Sequence, residues 1–463
     1  MISLFPDQIK SIDSLRDSMR RNKRIILQGE TGSGKSIMAS YMISSALSKK
    51  KKCAFIVPRK ELLRQMSETF NNFGIPHSYI AAGKQFNPYS SAHLCTVGTL
   101  CNRLDLITPD VVFIDECHYA NTKIDSIINH YSQAGSWIIG LSATPENDNL
   151  YLWYQDMVFG PTMAELISMK RLSDYRYFAP HVPDLSKIKT YHGEYSQGQL
   201  DDYMYEDKVI VGSAVGHYKE HAFGKLNMTF CTSIKTSQMT AQKFNDAGIP
   251  SIHMDGDTPE DERRRIARAF ARREILNLCT VDLVLFGYDL SSASGIKGAN
   301  VESMSDLRPT KRRNVQRQKI GRVLRYKDYP AIISDHVGNF KDHGRPSDPI
   351  EYTLSPPKQK KSDGEKAPPT RQCPNCFYVH SPAPICPECG TAYEVKSREI
   401  DEVDGDLVEI DKEAEVRKRR TEQGRARSLE DLIALGQKRG MKYPAQWAAK
   451  VLAGRMMKNA NST

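Results

Sequence analysis

The sequence predicts an α/β protein of two tandem domains, each a parallel sheet with helices on both faces, followed by a small cysteine-rich ribbon and a helical tail. Three observations carry that expectation. Short β-rich apolar runs alternate with longer helical patterns in the first third of the chain, the same alternation restarts near Met228, and two C-P-x-C turns stand close together near the C-terminus.

Taken in order, the apolar runs of the first domain are Arg24–Gln28, Cys53–Val57, 94–97, Val111–Asp115 and 137–141, each followed by a helical pattern. Periodicity fades around 170–205. The second set is 228–231, Ser251–Met254 and 276–280. The composition of 355–370 then turns to Pro, Lys, Ser and Gly, which marks a solvated linker. Residues 396–427 are densely charged; Ser428 caps an amphipathic segment reaching about Lys438, Gly440 can end it, and a second helix is expected near 446–457. These helices form either a small module for DNA or a partner protein, or a tail packed on the rest. The expected organisation is domain 1 at 1–168, a connecting segment at 169–205, domain 2 at 206–354, a linker at 355–371, the ribbon at 372–396, a charged linker at 397–427 and the helical tail at 428–463.

Composition narrows the function classes. A chain of 463 residues exceeds one ordinary core, and 40% hydrophobic with 26% charged residues is the balance of a soluble globular protein. No apolar run approaches the roughly 18 residues of a membrane span. The N-terminus lacks a basic region followed by a long apolar stretch, so a cytoplasmic location is expected. The excess of 65 Lys+Arg over 55 Asp+Glu favours a polyanionic partner without establishing one.

Gly29-Glu30-Thr31-Gly32-Ser33-Gly34-Lys35-Ser36 fits G-x-x-x-x-G-K-[ST], after an apolar strand and before a helical pattern. Backbone N–H groups of such a loop surround phosphates, Lys35 reaches the β/γ-phosphates and Ser36 ligates Mg²⁺, so ATP with Mg²⁺ is the expected pair. Asp115-Glu116-Cys117-His118 closes the strand Val111–Asp115, at the sheet end where ligands bind. Asp115 would hold Mg²⁺ through water and Glu116 would deprotonate the attacking water. Cys373, Cys376, Cys386 and Cys389 offer four thiolates, a closed tetrahedral Zn²⁺ shell with no open position, and His380 is not expected to be a ligand. A disulfide pairing is disfavoured by the doubled turn and the expected reducing compartment.

Asp115-Glu116-Cys117-His118, Ser142-Ala143-Thr144 and Gln318-Lys319-Ile320-Gly321-Arg322-Val323-Leu324-Arg325 match, in order, motifs II, III and VI of superfamily 2 helicases. Pro58-Arg59-Lys60-Glu61-Leu62 resembles motif Ia, Thr96-Val97-Gly98-Thr99 motif Ib, Phe230-Cys231-Thr232-Ser233 motif IV, and Phe286-Gly287-Tyr288-Asp289 motif V. The resemblance covers residues 1–350. Within the superfamily the chain is similar to RadD-type and phage-encoded DEAD/DEAH-box proteins, through Leu307-Arg308-Pro309-Thr310, Asp335-His336-Val337-Gly338-Asn339 and the trailing cysteines.

The resemblance implies two RecA-like domains, with Arg322 and Arg325 reaching from the second onto the γ-phosphate bound by the first. It implies that Gln318 and His118 meet across the cleft, that Ser142 and Thr144 couple the two activities, and that Gly287 and Asp289 face the ribose or the coupling loop. Arg59, Thr99 and Thr232 become candidates for holding one nucleic-acid strand by its backbone. Arginines 263–265, 268, 272 and 273 share one expected helix and could add affinity, although charged helical faces are commonly just solvated. Gln8 would read the adenine edge; Asp7, however, stands where an aromatic is usual and Phe5 where Arg is usual.

The implied function is an ATP-dependent DNA helicase or translocase acting on single-stranded or branched DNA in repair, recombination or replication, in a bacterial cell or phage-infected host. Such a motor admits a single-strand-binding or recombination protein as partner. Three alternatives stand beside it. One is an RNA helicase. Another is the motor of a restriction system, for which Glu394-Val395-Lys396 offers half of a nuclease site without a well-spaced partner acid. The last is an adaptor that has lost hydrolysis, opposed by intact Lys35, Glu116, Arg322 and Arg325.

Overall fold

The computed structural model describes residues 3–460, apart from 120, 148, 181–182, 192, 207, 282–289, 356–367, 394–420, 424, 427 and 442. It divides into a unit Met1–Glu394 and a unit Val395–Thr463. The larger unit contains two parallel sheets.

The first sheet has seven strands: β1 (Arg24–Gln28), β2 (Cys53–Val57), β3 (Ser78–Ile80), β4 (Ala92–Thr96), β5 (Val111–Asp115), β6 (Trp137–Ser142) and β7 (Asp156–Phe159). Their order is β3-β4-β2-β5-β6-β1-β7, parallel throughout. Helices cover both faces, which is why β2 reads Cys-Ala-Phe-Ile-Val without polar alternation. Cys53, Phe55 and Val57 enter one core beside Phe70 and Phe113; Ala54 and Ile56 enter the other beside Ile114 and Tyr131.

The second sheet has six strands: β8 (Tyr175–Phe178), β11 (Asn227–Phe230), β12 (Ser251–Met254), β13 (Asn277–Thr280), β14 (Ser303–Asp306) and β15 (Ala331–Asp335), with the two-residue strands β9 (Thr190–Tyr191) and β10 (Glu194–Tyr195) forming a separate hairpin. The order β12-β13-β11-β14-β15-β8 is again parallel. Its centre carries a buried polar ladder in place of a second aliphatic face. Asn227 Nδ2 donates to Asn277 Oδ1 at 2.9 Å, Ser303 Oγ donates to Asn227 Oδ1 at 2.9 Å, and Thr229 Oγ1 donates to Asn277 Oδ1 at 2.7 Å. Beside it, Lys319 Nζ lies 2.6 Å from Asp306 Oδ2, both side chains essentially inaccessible.

Two boundaries differ from expectation. Met163, Leu166, Leu172 and Tyr177 belong to the second core, and β8, drawn from the segment expected to be a connector, is the edge strand of the second sheet. Its partner β15 lies far along the chain, and Tyr-Arg-Tyr-Phe shows no period of two. After domain 2 the chain also returns: Tyr352 is buried in the first domain's core, with Ile350 and Leu354 packed against it.

In the smaller unit Ser428 caps the helix Leu429–Lys438, its hydroxyl accepting from Asp431 N at 3.0 Å, and Gly440 follows at φ +66°. A second helix, Pro444–Ala460, packs Trp447 against Gly436. The tail is therefore a helical hairpin. No helix among the described residues is long and apolar enough to cross a membrane.

The Lys319–Asp306 pair gives the fold a test. Asp306→Ala leaves a buried ammonium without its counter-charge and should cost about 3–5 kcal/mol in chemical denaturation, whereas adding Lys319→Met to that variant should recover much of the loss.

Candidate nucleotide site and metal centre

The carboxyl ends of β1, β5 and β6 bring three motifs to one edge of the first sheet. Residues 29–34 lead from β1 into the helix Lys35–Ser48, with Gly32 and Gly34 at φ +91° and +87°. Gly34 is fixed for a further reason: a Cβ there would lie 2.3 Å from Gln8 Nε2. That amide donates to Ser33 O at 2.9 Å, and Gln8 Oε1 accepts from Phe5 N at 3.1 Å, so Gln8 ties the N-terminal helix Pro6–Met19 to the loop. Lys35 Nζ sits over the loop, donating to Gly29 O at 2.6 Å and Glu30 O at 3.3 Å. The helix N-terminus, the turned glycines and the ammonium together suit a chain of phosphates.

Asp115 ends β5 and Glu116 follows at φ +50°, a left-handed conformation that a residue with a Cβ adopts only when its surroundings impose it. The surroundings are visible. Cys117 N donates to Leu141 O at 3.0 Å, His118 Nδ1 lies 2.8 Å from Ser142 Oγ, Thr144 N donates to the same hydroxyl at 3.1 Å, and Asn147 Nδ2 donates to His118 O at 3.0 Å. Burial and the neutral partner matter here: burial, then the Lys35 charge, pushes His118 down to about 4, so it is neutral at physiological pH. Burial raises both acids above the ordinary carboxylate range; their mutual repulsion raises Asp115 further, while Lys35 and Arg322 oppose the rise at Glu116. Two acids on a cleft floor whose ionised forms need a cation are a fitting donor set for Mg²⁺, with Ser36 at the start of the adjacent helix.

Domain 2 supplies the other wall through the helix Arg313–Val323. Gly321 rests on the phosphate loop: a Cβ there would lie 2.3 Å from Thr31 Cγ2 and 2.5 Å from Thr31 Cβ. Arg322 is near enough to influence Glu116, and Arg325 pairs in an antiparallel bridge with Leu172. Gln318 stays buried, within hydrogen-bonding reach of the Tyr119 hydroxyl. Among the described residues no hydrogen bond joins Gln318 to His118, whose Nδ1 faces Ser142 Oγ. Gly287 and Asp289 lie outside the described residues.

Further cross-cleft pairs were absent from the sequence reading. Arg313 pairs with Glu146, and Arg317 Nη2 lies 3.8 Å from Glu30 Oε1, both side chains buried. Burial raises Glu30, with Arg317 and then Lys35 opposing. A single signal pointed to such residues, the placement of Arg317 next to motif VI.

The strand-binding candidates separate. Arg59 precedes the helix Lys60–Asn72 and is half-buried, and Thr99 accepts from Thr96 Oγ1 at 3.0 Å beside exposed Gly98. Thr232 is buried, facing Thr236, with its carbonyl covered by the Gln197 amide. The arginine run on the helix Glu260–Ala271 is mostly paired locally: Arg264 with Glu260, Arg265 with Glu262, and Arg263 with Thr258 O at 2.7 Å. That is the behaviour of a solvated face.

The four cysteines converge. Each offers one sulfur, and the four sulfurs lie within 4.8 Å of one another, with Cys373–Cys389 and Cys376–Cys386 both at 3.7 Å. Tetrahedral ligands at the Zn–S distance of about 2.3 Å stand about 3.8 Å apart, so the cluster has the size of a Zn²⁺ shell. The two knuckles repeat each other: Phe377 N donates to Cys373 O and Gly390 N to Cys386 O, both at 3.0 Å, with Phe377 and Gly390 at φ +59° and +73°. His380 is occupied elsewhere, by Ser381 O and Tyr393. The ribbon, with strands β16 (Arg371–Gln372) and β17 (Val379–His380), docks on domain 2. Ala179 N donates to Phe377 O at 3.0 Å, Tyr378 bridges Phe178 at the end of edge strand β8, Glu388 pairs with Arg176, and Val379 enters the second core.

The contact at Gly321 yields a prediction. Gly321→Ala forces a few tenths of an ångström to an ångström of separation between the domains and should lower ATP turnover by about 100-fold with nucleotide affinity largely retained. Thr31→Gly in the same chain should restore part of the rate in a steady-state ATPase assay.

Comparisons with known proteins match both sheet domains. Residues 1–147 match the family described as Type III restriction enzyme, res subunit, and residues 210–327 match the helicase conserved C-terminal domain. A 51.5 kDa protein of a Lactococcus phage (isolate 7-9) is 30% identical over 381 residues, which is 81% of this chain and 79% of that protein. A solved fragment assigned to the HsdR subunit of a type I restriction enzyme from Vibrio vulnificus YJ016 has a TM-score of 0.56 at 15% identity, covering 73% of this chain and 66% of that one. The ATP-dependent Type ISP restriction-modification enzyme LlaBIII, solved bound to DNA, has a TM-score of 0.52 at 16% identity, covering 72% of this chain and 28% of the larger enzyme. At those identities the likeness concerns the fold, and this chain spans 66% and 28% of their respective lengths. With both helicase domains matched and a relative aligned over most of its length, the chain belongs to the superfamily 2 helicases.

Proposed function

We propose that the protein is an ATP-driven DNA helicase or translocase acting on single-stranded or branched DNA in the cytoplasm of a bacterial or phage-infected cell. The observation that carries the proposal is the closed approach of the two domains at the nucleotide edge, Gly321 on Thr31 with Arg322 influencing Glu116. In this reading the loop amides and Lys35 hold the β/γ-phosphates, and Glu116 takes the proton of the attacking water. Arg322 and Arg325 face the charge that develops on the transferred phosphoryl group. Ser36 and Asp115 would hold Mg²⁺, which would supply positive charge against the phosphates. Ser142 and Thr144 brace the turn bearing Glu116, so a shift there reaches the base directly.

DNA as the track is supported by the DNA in the LlaBIII structure. The test is ATP turnover with single-stranded, duplex, forked and four-way DNA and with matched RNA. Stimulation by single-stranded or branched DNA well above RNA is expected; greater stimulation by RNA would replace the proposal with an RNA helicase. A restriction-type motor is the second reading, favoured by the two restriction-enzyme neighbours. Glu394 and Lys396 lie outside the described residues, and plasmid cleavage with Mg²⁺ would decide for that reading.

The cysteine cluster is proposed to bind one structural Zn²⁺. Because the ribbon shares Val379 with domain 2's core, metal binding should stabilise more than the ribbon itself. Cys376→Ser with Cys389→Ser should release one equivalent of zinc by elemental analysis and lower the melting temperature of the motor. A wild-type protein purified without zinc, or a double variant with an unchanged melt, would contradict this.

A further inference from the structure

Phe5 and Asp7 depart from the pattern of the motif they occupy, and one distant cation touches both. The Arg171 guanidinium carbon lies 3.5 Å from the Phe5 ring centre, and Arg171 Nη1 lies 2.8 Å from Asp7 Oδ1. The two ionic side chains are 13% and 9% exposed, whereas Phe5 is 53% exposed. We infer that the nucleotide base is selected by stacking on Phe5, backed by Arg171 and Asp7, rather than by edge reading through Gln8. Guanine as well as adenine nucleoside triphosphates are then substrates, and pyrimidine ones are disfavoured. The inference rests on the nucleotide-hydrolase reading above and deepens it.

Gln8 is 1% exposed and each end of its amide is already committed, Oε1 to Phe5 N and Nε2 to Ser33 O. To reach a base edge this buried amide would have to share or break the bonds that hold the N-terminal helix on the phosphate loop. Those same bonds fix Phe5 relative to the phosphates. A guanidinium against one face of the ring leaves the other face for a base, and the ion pair with Asp7 keeps Arg171 from swinging into the site. A stacked platform reads ring area rather than donor and acceptor pattern, which separates purines from pyrimidines but hardly adenine from guanine.

Arg171 also has a second connection. Leu172 pairs with Arg325 in an antiparallel bridge and lies against Gly32 of the phosphate loop, Ser173 N donates to Leu324 O at 2.9 Å, and Ser173 Oγ donates to Arg325 O at 2.9 Å. One three-residue segment therefore joins the base platform to the backbone of the catalytic arginine. Arg171 is a positioning residue, setting both the Phe5 ring and Arg325.

The experiment measures steady-state turnover and equilibrium binding of ATP, GTP, CTP and UTP by the full chain carrying Phe5→Ala, Phe5→Trp, Arg171→Ala or Arg171→Lys. Wild type should use ATP and GTP within a few-fold of each other, and CTP and UTP about tenfold less well in kcat/KM. Phe5→Ala should raise KM for the purine nucleotides about tenfold and erase the purine preference, which Phe5→Trp keeps. Arg171→Ala should weaken the preference and also lower kcat, because the segment whose Leu172 and Ser173 hold Arg325 loses its anchor on Phe5 and Asp7; Arg171→Lys, lacking a planar cation, should restore only part. A strong preference for ATP over GTP that survives Phe5→Ala would overturn the inference in favour of Gln8. Wild-type kcat and selectivity in Arg171→Ala would overturn the positioning role. Purine-selective binding without turnover of any nucleotide would instead remove the hydrolase reading and leave the base selection standing.

Discussion

Charge in a narrow cleft is the constraint on which the rest depends. Asp115, Glu116 and Glu30 stand on the first domain where burial disfavours their ionised forms, and the cations that oppose this come partly from the same loop, Lys35, and partly from the second domain, Arg322 and Arg317. Two unit charges at 4 Å exchange about 4 kcal/mol at an effective dielectric of 20, so separating the walls is costly while these charges face each other. In the proposed reading a bound triphosphate would add negative charge between the walls, and release of the cleaved phosphate would remove part of it. In that reading the balance between closed and open arrangements would follow the state of the nucleotide, and the missing side chain at Gly321 lets the backbones meet.

The strained turn at Glu116 depends on the same neighbourhood. A left-handed conformation costs a glutamate on the order of 1–2 kcal/mol, and the Cys117–Leu141, His118–Ser142 and Asn147–His118 bonds repay it. Ser142 thus bears on this turn through His118, two residues beyond Glu116.

Much of this was legible in the sequence where chemistry is local. The phosphate loop, the strand before Asp115 and the knuckles of the ribbon are each written in a short contiguous string, and the first sheet's strands are apolar because both faces are covered. The second sheet was less legible: β14 reads Ser-Met-Ser-Asp, because its centre is a polar ladder in which Asn227, Asn277 and Ser303 satisfy each other across strands. β8 was missed because an edge strand paired with distant β15 has no local period to betray it. Arg171 was invisible for the same kind of reason. Its partners Phe5 and Asp7 depart from the motif's pattern, and a cation from the segment that follows domain 1 answers both.

The central claim is that the site is composite, with domain 2 contributing charge chiefly to the transition state. The most direct measurement is Arg322→Ala, with nucleotide dissociation constant and single-turnover hydrolysis rate determined on the same preparation. The account predicts a dissociation constant within a few-fold of wild type and a hydrolysis rate lower by about 10³-fold or more, the range seen when an arginine of this kind is removed. Equal losses in affinity and rate, or a wild-type rate, would contradict it.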